Sequence, residues 1–308
     1  YSYRPPRERS AASILEQARE LLPRTDRLGL VSAAVSDHSQ IDEIAVELRR
    51  LGARLSVSSM RVDPVSEPLL QALAESGTRT LTIAPEAGSE RLRRAINKTQ
   101  SEEDVLHAVE LAAHLGLPQL KLYFMVGLPT EAQEDIEALV DLAVACAARF
   151  RRQVTVNLTP FVPKAHTPFQ RMAQPSAKSI KKQIDYVKRQ LGRRGIAVKA
   201  ESAAWAEVQG TLARGDRRLA EVLASVDGMS PAAWRRALKE AGLPLQELLR
   251  ERGEDEPLPW DFVQSGVTPA YLAGEARRAG TGRHSPPCPP GDCVACGVCV
   301  PKLPETLP

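Results

Sequence analysis

The fold is decided by Thr80-Leu-Thr-Ile-Ala-Pro-Glu86, a stretch in which polar and apolar side chains alternate. This period of two places the threonines, Ala84 and Glu86 on one face of a strand and Leu81 and Ile83 on the other. The same alternation recurs in Lys121-Leu-Tyr-Phe-Met-Val126 and Val154-Thr-Val-Asn-Leu-Thr159. A doubly wound sheet is apolar on both faces, so the pattern instead predicts a partial parallel barrel with a ligand inside.

For any one of these strands there is a simpler interpretation. Its threonines, or Asn157, are then buried polar groups with hydrogen-bond partners inside the protein. Because three strands show the same alternation, we favour the barrel over this alternative.

On both sides of these strands the chain alternates strand-like and helix-like segments, which is typical of parallel βα units. We predict strands at 28–36, 54–61, 79–85, 119–126 and 153–160. Apolar residues three or four positions apart predict the helices between them, at 13–22, 40–51, 66–76, 103–115 and 131–149. Thr130, with Gln133 three residues later, is the predicted N-cap of the last of these helices.

Length and composition exclude several classes of protein. The 308 residues allow one large α/β domain and a smaller appendage. The net charge of +3 and the 4% aromatic content do not by themselves indicate nucleic-acid binding. No segment approaches the length of about 20 apolar residues that spans a membrane, and the first ten residues contain no apolar signal sequence. We therefore expect a cytoplasmic protein.

The character of the sequence changes twice along the chain, which predicts three parts. Residues 1–170 form the partial barrel, residues 171–280 a mixed and mainly helical extension, and residues 281–308 a tail rich in Pro, Gly and Cys. Within the extension, residues 176–194 form a helix with seven basic residues and one acidic residue. Such a helix is usually a solvated surface, but RNA binding stays open.

The tail holds four cysteines spaced C-x4-C-x2-C-x2-C, namely Cys288, Cys293, Cys296 and Cys299. Four thiols this close together do not satisfy disulfide geometry, and a reducing compartment keeps them as metal ligands. The two successive C-x2-C steps favour an auxiliary [4Fe-4S] cluster over zinc, with free thiols as a remaining alternative. Cys146 lies among alanines in a predicted helix and is interpreted as a small core residue.

Two turns follow predicted strands and hold candidate binding groups. Gly127 lets a ligand approach the backbone closely, although a Gly-Leu-Pro turn is also a common connection between strand and helix. Glu86 lies at the predicted barrel mouth, and Ser89 is a predicted N-cap whose helix could receive a carboxylate. The alternative for Glu86 is a solvated or paired carboxylate.

These features together resemble the radical S-adenosylmethionine (SAM) superfamily. The resemblance is greatest to its methylthiotransferase-like branch, and within it to proteins that often carry an N-terminal cobalamin-binding-type domain. The stretches that carry the resemblance occur in order along nearly the whole chain: Tyr3-Arg-Pro-Pro-Arg-Glu-Arg-Ser10, Ser58-Ser-Met-Arg-Val-Asp63, Ala84-Pro-Glu-Ala-Gly-Ser-Glu-Arg-Leu-Arg-Arg-Ala-Ile-Asn-Lys98, Lys121-Leu-Tyr-Phe-Met-Val-Gly-Leu-Pro-Thr-Glu131, Ala213-Arg-Gly-Asp-Arg-Arg218, Leu258-Pro-Trp-Asp261 and the cysteine run.

The resemblance implies a partial (β/α) barrel whose strand ends hold SAM beside a [4Fe-4S] cluster. In the superfamily, three cysteines spaced C-x3-C-x2-C after the first strand bind that cluster, and this chain contains no such triplet. We therefore expect a C-terminal part that lacks the first strand and is inactive alone. A degenerate paralogue that has lost its chemistry is the other reading.

The resemblance also implies which residues bind SAM, all of them at the ends of predicted strands. From the amino end of the cofactor to its adenine, they are Ser36, Asp37, Glu86, Ser89, Val126, Gly127, Thr159 and Pro160. Lys121 and Arg61 are candidates to bind a carboxylate inside the barrel, with a structural ion pair as the alternative.

The implied activity is reductive cleavage of SAM to a 5′-deoxyadenosyl radical, which modifies an unidentified small-molecule or RNA substrate by methylation or thiomethylation. A reductant such as flavodoxin or ferredoxin and, in the full-length protein, cobalamin are implied partners. The rival interpretation is a non-catalytic RNA-binding module, with the basic helix and a zinc-bound tail as its functional parts.

Overall fold

A computed structural model describes residues 7–32, 34–57, 60–286, 288 and 293–299. The first part is a two-stranded parallel sheet of β1 (Arg27–Leu30) and β2 (Arg54–Val57), with Leu28 opposite Leu55. Three helices accompany it: α1 (Ala11–Leu21), α2 (Ile41–Arg50) and α3 (Glu67–Glu75). Their apolar faces meet the sheet in a core that includes Leu28, Ile44, Leu55 and Leu69.

The second part is a four-stranded parallel sheet in the order β3-β4-β5-β6. Its strands are β3 (Thr80–Glu86), β4 (Gln119–Val126), β5 (Gln153–Pro160) and β6 (Ala197–Ala200). The connections contain α4 (Glu90–Ala95), α5 (Glu102–His114), α6 (Gln133–Phe150) and α7 (Ala177–Gly192). The strands of the described residues do not close into a barrel, because no hydrogen-bonded pairing joins this sheet to β1 and β2.

The predicted fold class is confirmed as α/β with parallel sheets and helices. The predicted alternation is also present, because Leu81, Ile83, Leu122, Phe124 and Val156 are buried in one core with α5, α6 and α7. Cys146 is fully buried in the same core, as predicted, and this burial raises the pKa of its thiol to about 12.

The helical extension contains α8 (Ala203–Arg214), α9 (Leu219–Ser225), α10 (Pro231–Glu240), α11 (Leu245–Leu249) and α12 (Pro269–Gly280). A small core around Val222, Trp234 and Leu238 joins several of these helices. The α7 helix and β6 also come from the predicted extension, yet they pack on and extend the four-stranded sheet. The division of the chain at residues 170 and 280 stays a prediction.

Three local predictions differ from the structure. The strand predicted at 28–36 ends at Leu30 and is followed by a short 3-10 helix, Val35–Asp37, and the strand predicted at 54–61 ends at Val57. Thr130 is not the N-cap of α6, because its φ of 65° is left-handed and the helix begins at Gln133. The cap is Ala132, whose backbone N–H donates to the Asp135 carboxylate at 2.8 Å.

No helix in the described parts of the chain combines the length and the apolar character that a membrane span requires.

Candidate functional site

The four-stranded sheet has one face that the helices of its core do not cover. Strand register places Thr82, Lys121 and Thr155 in one row across β3, β4 and β5. The next row contains Tyr123, Asn157 and Lys199. We call these six residues the open face. Tyr123 is 38% exposed although it lies in an inner strand, so this face has room for a ligand.

Two nitrogen donors on the open face are without partners. Lys121 is half-buried, and its ammonium group forms no hydrogen bond or ion pair with any described residue. The side-chain Nδ2 of Asn157 is buried and has no acceptor within the part of the chain that the structure describes. Lys199 adds an exposed cation next to Asn157. Because an unpaired buried donor costs free energy, this arrangement is suited to a ligand that brings oxygen acceptors.

Glu86 lies at the C-terminal end of β3, as predicted. The register to β4 shifts between Ile83 and Glu86, and the φ of Glu86 is 68°, so the strand turns away sharply here. Its carboxylate faces Lys98 at 3.5 Å, and burial raises the pKa of Glu86 above its ordinary value. The alternative of a paired carboxylate is therefore the arrangement present, while a role in cofactor binding stays a prediction.

Ser89 caps α4, as predicted, and accepts a hydrogen bond from the Leu92 N–H at 3.1 Å. Its hydroxyl also donates to the carboxylate of Asp135 on α6, which pairs with Arg91 as well. Asp135 is thus a carboxylate of the chain itself beside the start of α4, and binding of a ligand carboxylate by Ser89 or this helix stays a prediction. Sequence reasoning missed this contact because 46 residues separate the two partners.

The turn after β4 is occupied by the protein itself. Gly127 has a φ of 82°, and a Cβ placed there would lie 2.3 Å from the Ile180 side chain of α7. The Gly127 N–H donates to the carboxylate of Glu131 at 2.8 Å. The room that Gly127 provides is thus used by α7, and any contact of Val126 or Gly127 with adenine stays a prediction.

Glu131 is a half-buried acid that the sequence analysis did not single out. Its carboxylate accepts hydrogen bonds from Gly127 and, at 2.6 Å, from the Gln183 side chain of α7. Desolvation outweighs these bonds and raises the pKa of Glu131 to about 7. The available signal was its place directly after Gly-Leu-Pro-Thr at a strand end, where a turn tends to carry functional groups.

Arg61, Ser36 and Asp37 lie together near the smaller sheet. The Arg61 N–H donates to the Ser36 hydroxyl at 2.7 Å, and the guanidinium group lies 3.6 Å from Asp37. The same guanidinium pairs with Asp63 at 2.7 Å and donates to Thr99 at 2.9 Å. For Arg61 the structural ion pair is therefore present, whereas Lys121 has no such partner. Binding of the cofactor by Ser36 and Asp37 stays a prediction.

Thr159 and Pro160 end β5 opposite Met125 and Val126 of β4. Thr159 is half-buried and Pro160 is buried. The chain continues this pairing for one more residue, because the Phe161 N–H donates to the Val126 carbonyl at 2.8 Å. Their predicted backbone contacts with the cofactor stay a prediction.

The cysteine tail lies against the N-terminal end of α12. The Thr268 N–H donates to the Cys296 carbonyl at 2.9 Å, and Gly297 has a φ of 88°, with the Thr268 side chain 2.7 Å from where a Cβ would lie. Cys288 is exposed, while Cys293, Cys296 and Cys299 are half-buried. Within residues 7–299, apart from the positions left undescribed, no three His, Cys, Asp or Glu side chains are arranged to hold a metal ion. The auxiliary cluster or zinc site stays a prediction.

Comparison with known proteins gave three informative matches. A family model described as the Radical SAM superfamily matches residues 1–143. The uncharacterized protein MJ0966 of Methanocaldococcus jannaschii is 38% identical over 223 residues, covering 72% of this chain and 49% of its own length. The uncharacterized methyltransferase PH0819 of Pyrococcus horikoshii is 29% identical over 102 residues, covering 33% of this chain and 22% of its own length.

The chain thus spans about half the length of the first of these relatives and less of the second. Among solved structures, the crystal structure of Streptococcus suis SuiB matches with a TM-score of 0.42 and 10% identity, covering 74% of this chain and 49% of that chain.

Proposed function

Residues 1–143 form a domain of the radical SAM superfamily, and from this premise we propose that the protein is the SAM-binding and substrate-binding part of a radical SAM enzyme. In the proposed reaction, SAM is cleaved reductively and the resulting radical acts on a substrate held at the open face. The single observation that carries the proposal is the unpaired state of Lys121 and of the Asn157 Nδ2 on this face.

The residues of the open face fit SAM chemically. The cofactor offers a methionine carboxylate and ribose hydroxyls, which are acceptors for the idle donors of Lys121 and Asn157. The threonine hydroxyls of the same face can donate or accept. SAM supplies the sulfonium group whose cleavage gives a radical, and the protein's task is to bind and orient it. We assign the methionine carboxylate to Lys121.

The [4Fe-4S] cluster of the superfamily does not fit this chain. The five cysteines of the chain include no C-x3-C-x2-C triplet, and Cys146 is buried in the core. We therefore assign the ligands of that cluster to protein outside these 308 residues. The chain spans about half of MJ0966, which is consistent with a larger catalytic unit.

Methylation is the reaction class that we propose, with thiomethylation as its variant. Support comes from the name of PH0819, an uncharacterized methyltransferase that aligns with one third of the chain. A flavodoxin or ferredoxin is the proposed electron donor, and cobalamin a possible cofactor of the complete enzyme. The cysteine tail is proposed to hold an auxiliary [4Fe-4S] cluster, which iron and sulfide analysis would distinguish from one stoichiometric zinc.

RNA binding is a second candidate function, favoured by the exposed cations of α7 and the turn after it. Seven basic side chains of this segment are exposed: Lys178, Lys181, Lys182, Lys188, Arg189, Arg193 and Arg194. One of them, Lys181, pairs with Asp185 at 2.5 Å. A positive surface of this kind binds phosphates with a steep dependence on salt. Loss of RNA binding when Lys182 and Arg189 are both changed to Gln would support this role.

The proposed function is tested first by SAM binding to this chain, which needs neither iron nor a reductant. Lys121→Met should weaken SAM binding about tenfold or more, because a charge-assisted hydrogen bond is lost. Lys239→Met, on the exposed surface of α10, is the matched control and should bind SAM like the parent protein. Calorimetric titration measures both. Unchanged binding in Lys121→Met would remove our assignment of the carboxylate.

Catalysis is tested in the complete protein, reconstituted with iron and sulfide without oxygen and reduced in the presence of SAM. The expected product is 5′-deoxyadenosine, detected by mass spectrometry, and Lys121→Met should lower its rate of formation at low SAM concentration. Absence of 5′-deoxyadenosine from a protein that contains its cluster would refute the radical reaction.

A further inference from the structure

A cavity of about 580 Å³ lies between the loop that follows β5 and the C-terminal part of the extension. Residues 166–172 form one wall, and residues 251–277 form the other. None of the lining residues belongs to strands β3 to β6, and none was a candidate in the sequence analysis. The volume is within the range of sites that hold small molecules, about 300–1,000 Å³.

Arg252 lines this cavity with a guanidinium group that is only partly satisfied. The residue is 8% exposed, its Nη2 donates to the Arg214 carbonyl at 2.6 Å, and its guanidinium lies over the Trp260 ring at 5.3 Å from the ring centroid. Its Nη1, in contrast, is buried and has no hydrogen-bond partner. Because a buried charged donor is costly when unpaired, Arg252 needs an acceptor that the described chain does not supply.

His166 supplies a second unused nitrogen in the same cavity. Its Nε2 is buried and has no hydrogen-bond partner among the described residues, and its backbone has a left-handed φ of 56°. The Gln170 Oε1 accepts hydrogen bonds from the His166 backbone N–H at 3.0 Å and from the Trp260 Nε1 at 2.8 Å. Gln170 therefore connects the His166 backbone to Trp260, whose ring contacts Arg252.

Arg252 lies among charges of both signs, and its two acidic neighbours, Glu256 and Asp216, each pair with another arginine. Arg214 and Arg171 lie close to it, and the carboxylate of Glu256 is used by Arg250, to which it pairs at 2.7 Å. Desolvation and the neighbouring arginines lower the pKa of Arg214 to about 10. An anion in the cavity would give Arg252 a partner that is not shared with another arginine.

The acidic side chains that line the cavity are largely engaged elsewhere. Glu254 pairs with Arg277 at 3.0 Å, and the Asp261 carboxylate accepts the Leu258 N–H at 2.7 Å. Glu251 is exposed to solvent. These carboxylates therefore do not neutralise the unpaired nitrogen of Arg252.

We propose that this cavity binds a small molecule through an oxyanion, a phosphate or carboxylate group, that accepts hydrogen bonds from Arg252 Nη1 and His166 Nε2. The His166 ring then carries its proton on Nε2. The Trp260 ring, which donates to Gln170 and lies against the Arg252 guanidinium, holds that guanidinium in place.

The test is titration of the full chain with inorganic phosphate and, separately, with acetate, at an ionic strength held constant with chloride. Calorimetry measures binding. Saturable binding of at least one anion is expected. Tighter phosphate binding identifies a phosphorylated ligand, and tighter acetate binding identifies a carboxylic acid. Failure of both anions to saturate the protein would overturn the proposal.

Two variants locate the site. Arg252→Gln should weaken binding about tenfold or more, because the loss of one hydrogen bond to a charged group has this size. His166→Asn tolerates the left-handed backbone, removes a nitrogen that has no partner in the protein, and should also weaken binding. It therefore carries the test if Arg252→Gln unfolds.

The matched control is Arg93→Gln. Arg93 is also a buried arginine, on α4; its Nη2 has no hydrogen bond among the described residues and lies 4.0 Å from Glu90, and it does not line the cavity. Circular dichroism checks the fold of each variant. Anion affinity that is unchanged in His166→Asn and in a folded Arg252→Gln, or lowered as much in Arg93→Gln, would refute the site.

Discussion

Arg214 of the extension and Lys121 of the sheet are both cations, but their surroundings are opposite. Arg214 is completely buried, and its guanidinium donates to four backbone carbonyls, those of Gln170, Met172, Leu248 and Arg250. Lys121 is half-buried and donates to no described residue. A cation that donates hydrogen bonds to carbonyls of several segments holds those segments together. A cation that forms no hydrogen bond within the described chain is available to a ligand. Stability measurements can separate these roles.

The largest effect is expected from Arg214→Met. The variant leaves four carbonyls without a donor and separates the loop after β5 from the segment after α11. We expect the free energy of unfolding to fall by about 3–5 kcal/mol. Urea unfolding followed by circular dichroism measures this change. Arg217→Met, at an exposed position three residues away, should change stability by less than about 0.5 kcal/mol. Equal losses in both variants would mean that Arg214 is not the anchor.

Gly88→Ala tests whether the sheet depends instead on close packing. A Cβ at Gly88 would lie 2.1 Å from the backbone nitrogen of Leu139 in α6, and a backbone atom cannot move aside as a flexible side chain can. We expect a loss of about 2–3 kcal/mol in urea unfolding.

The control for this glycine is Gly274→Ala in α12, where nothing lies within 4 Å of the added Cβ. This variant should gain about 0.5–1 kcal/mol, because alanine favours a helix over glycine. An unchanged free energy of unfolding in Gly88→Ala would show that the turn after β3 can move to accommodate the Cβ. The sheet would then not be rigid at this position.

Glu131 shares features with both cations. Its carboxylate accepts hydrogen bonds from the chain, and yet its burial makes the charged form unfavourable. Its pKa of about 7 lies above the ordinary 4.5, so the fold favours the protonated form. The stabilisation of the fold by protonated Glu131 is fully present below about pH 4.5 and is lost as the pH rises through 7. Over this pH range, the free energy of unfolding of the parent protein should fall by on the order of 1–2 kcal/mol relative to that of Glu131→Gln.

Urea unfolding at several pH values measures this difference. The exposed Glu137→Gln, also near the start of α6, is the control and should follow the parent protein at every pH. A constant difference between the parent protein and Glu131→Gln from pH 4.5 to 8 would contradict the raised pKa.

The faces of β3, β4 and β5 could be predicted because side-chain alternation depends only on neighbours along the strand. The length of β1 could not be predicted, since the sequence after Leu30 is apolar enough for a strand, whereas the strand ends at Leu30 and Val35–Asp37 form a short 3-10 helix. Arg214 was visible as part of a motif, but its role was not, because its acceptors are carbonyls 34 to 44 residues away. Backbone acceptors leave no signature in side-chain identity, which also hid the cavity around Arg252.

The smallest effect is expected from Lys121→Met, and its comparison with Arg61→Met separates the two cations that the sequence could not tell apart. Arg61→Met breaks contacts with Asp63 and Thr99 and should cost about 1 kcal/mol. Lys121→Met removes a charge with no partner in the described chain, so stability should change by less than about 0.5 kcal/mol. Urea unfolding of both variants at pH 7 decides. A larger loss in Lys121→Met than in Arg61→Met would make Lys121 a structural residue, and its idle donors would no longer indicate a ligand.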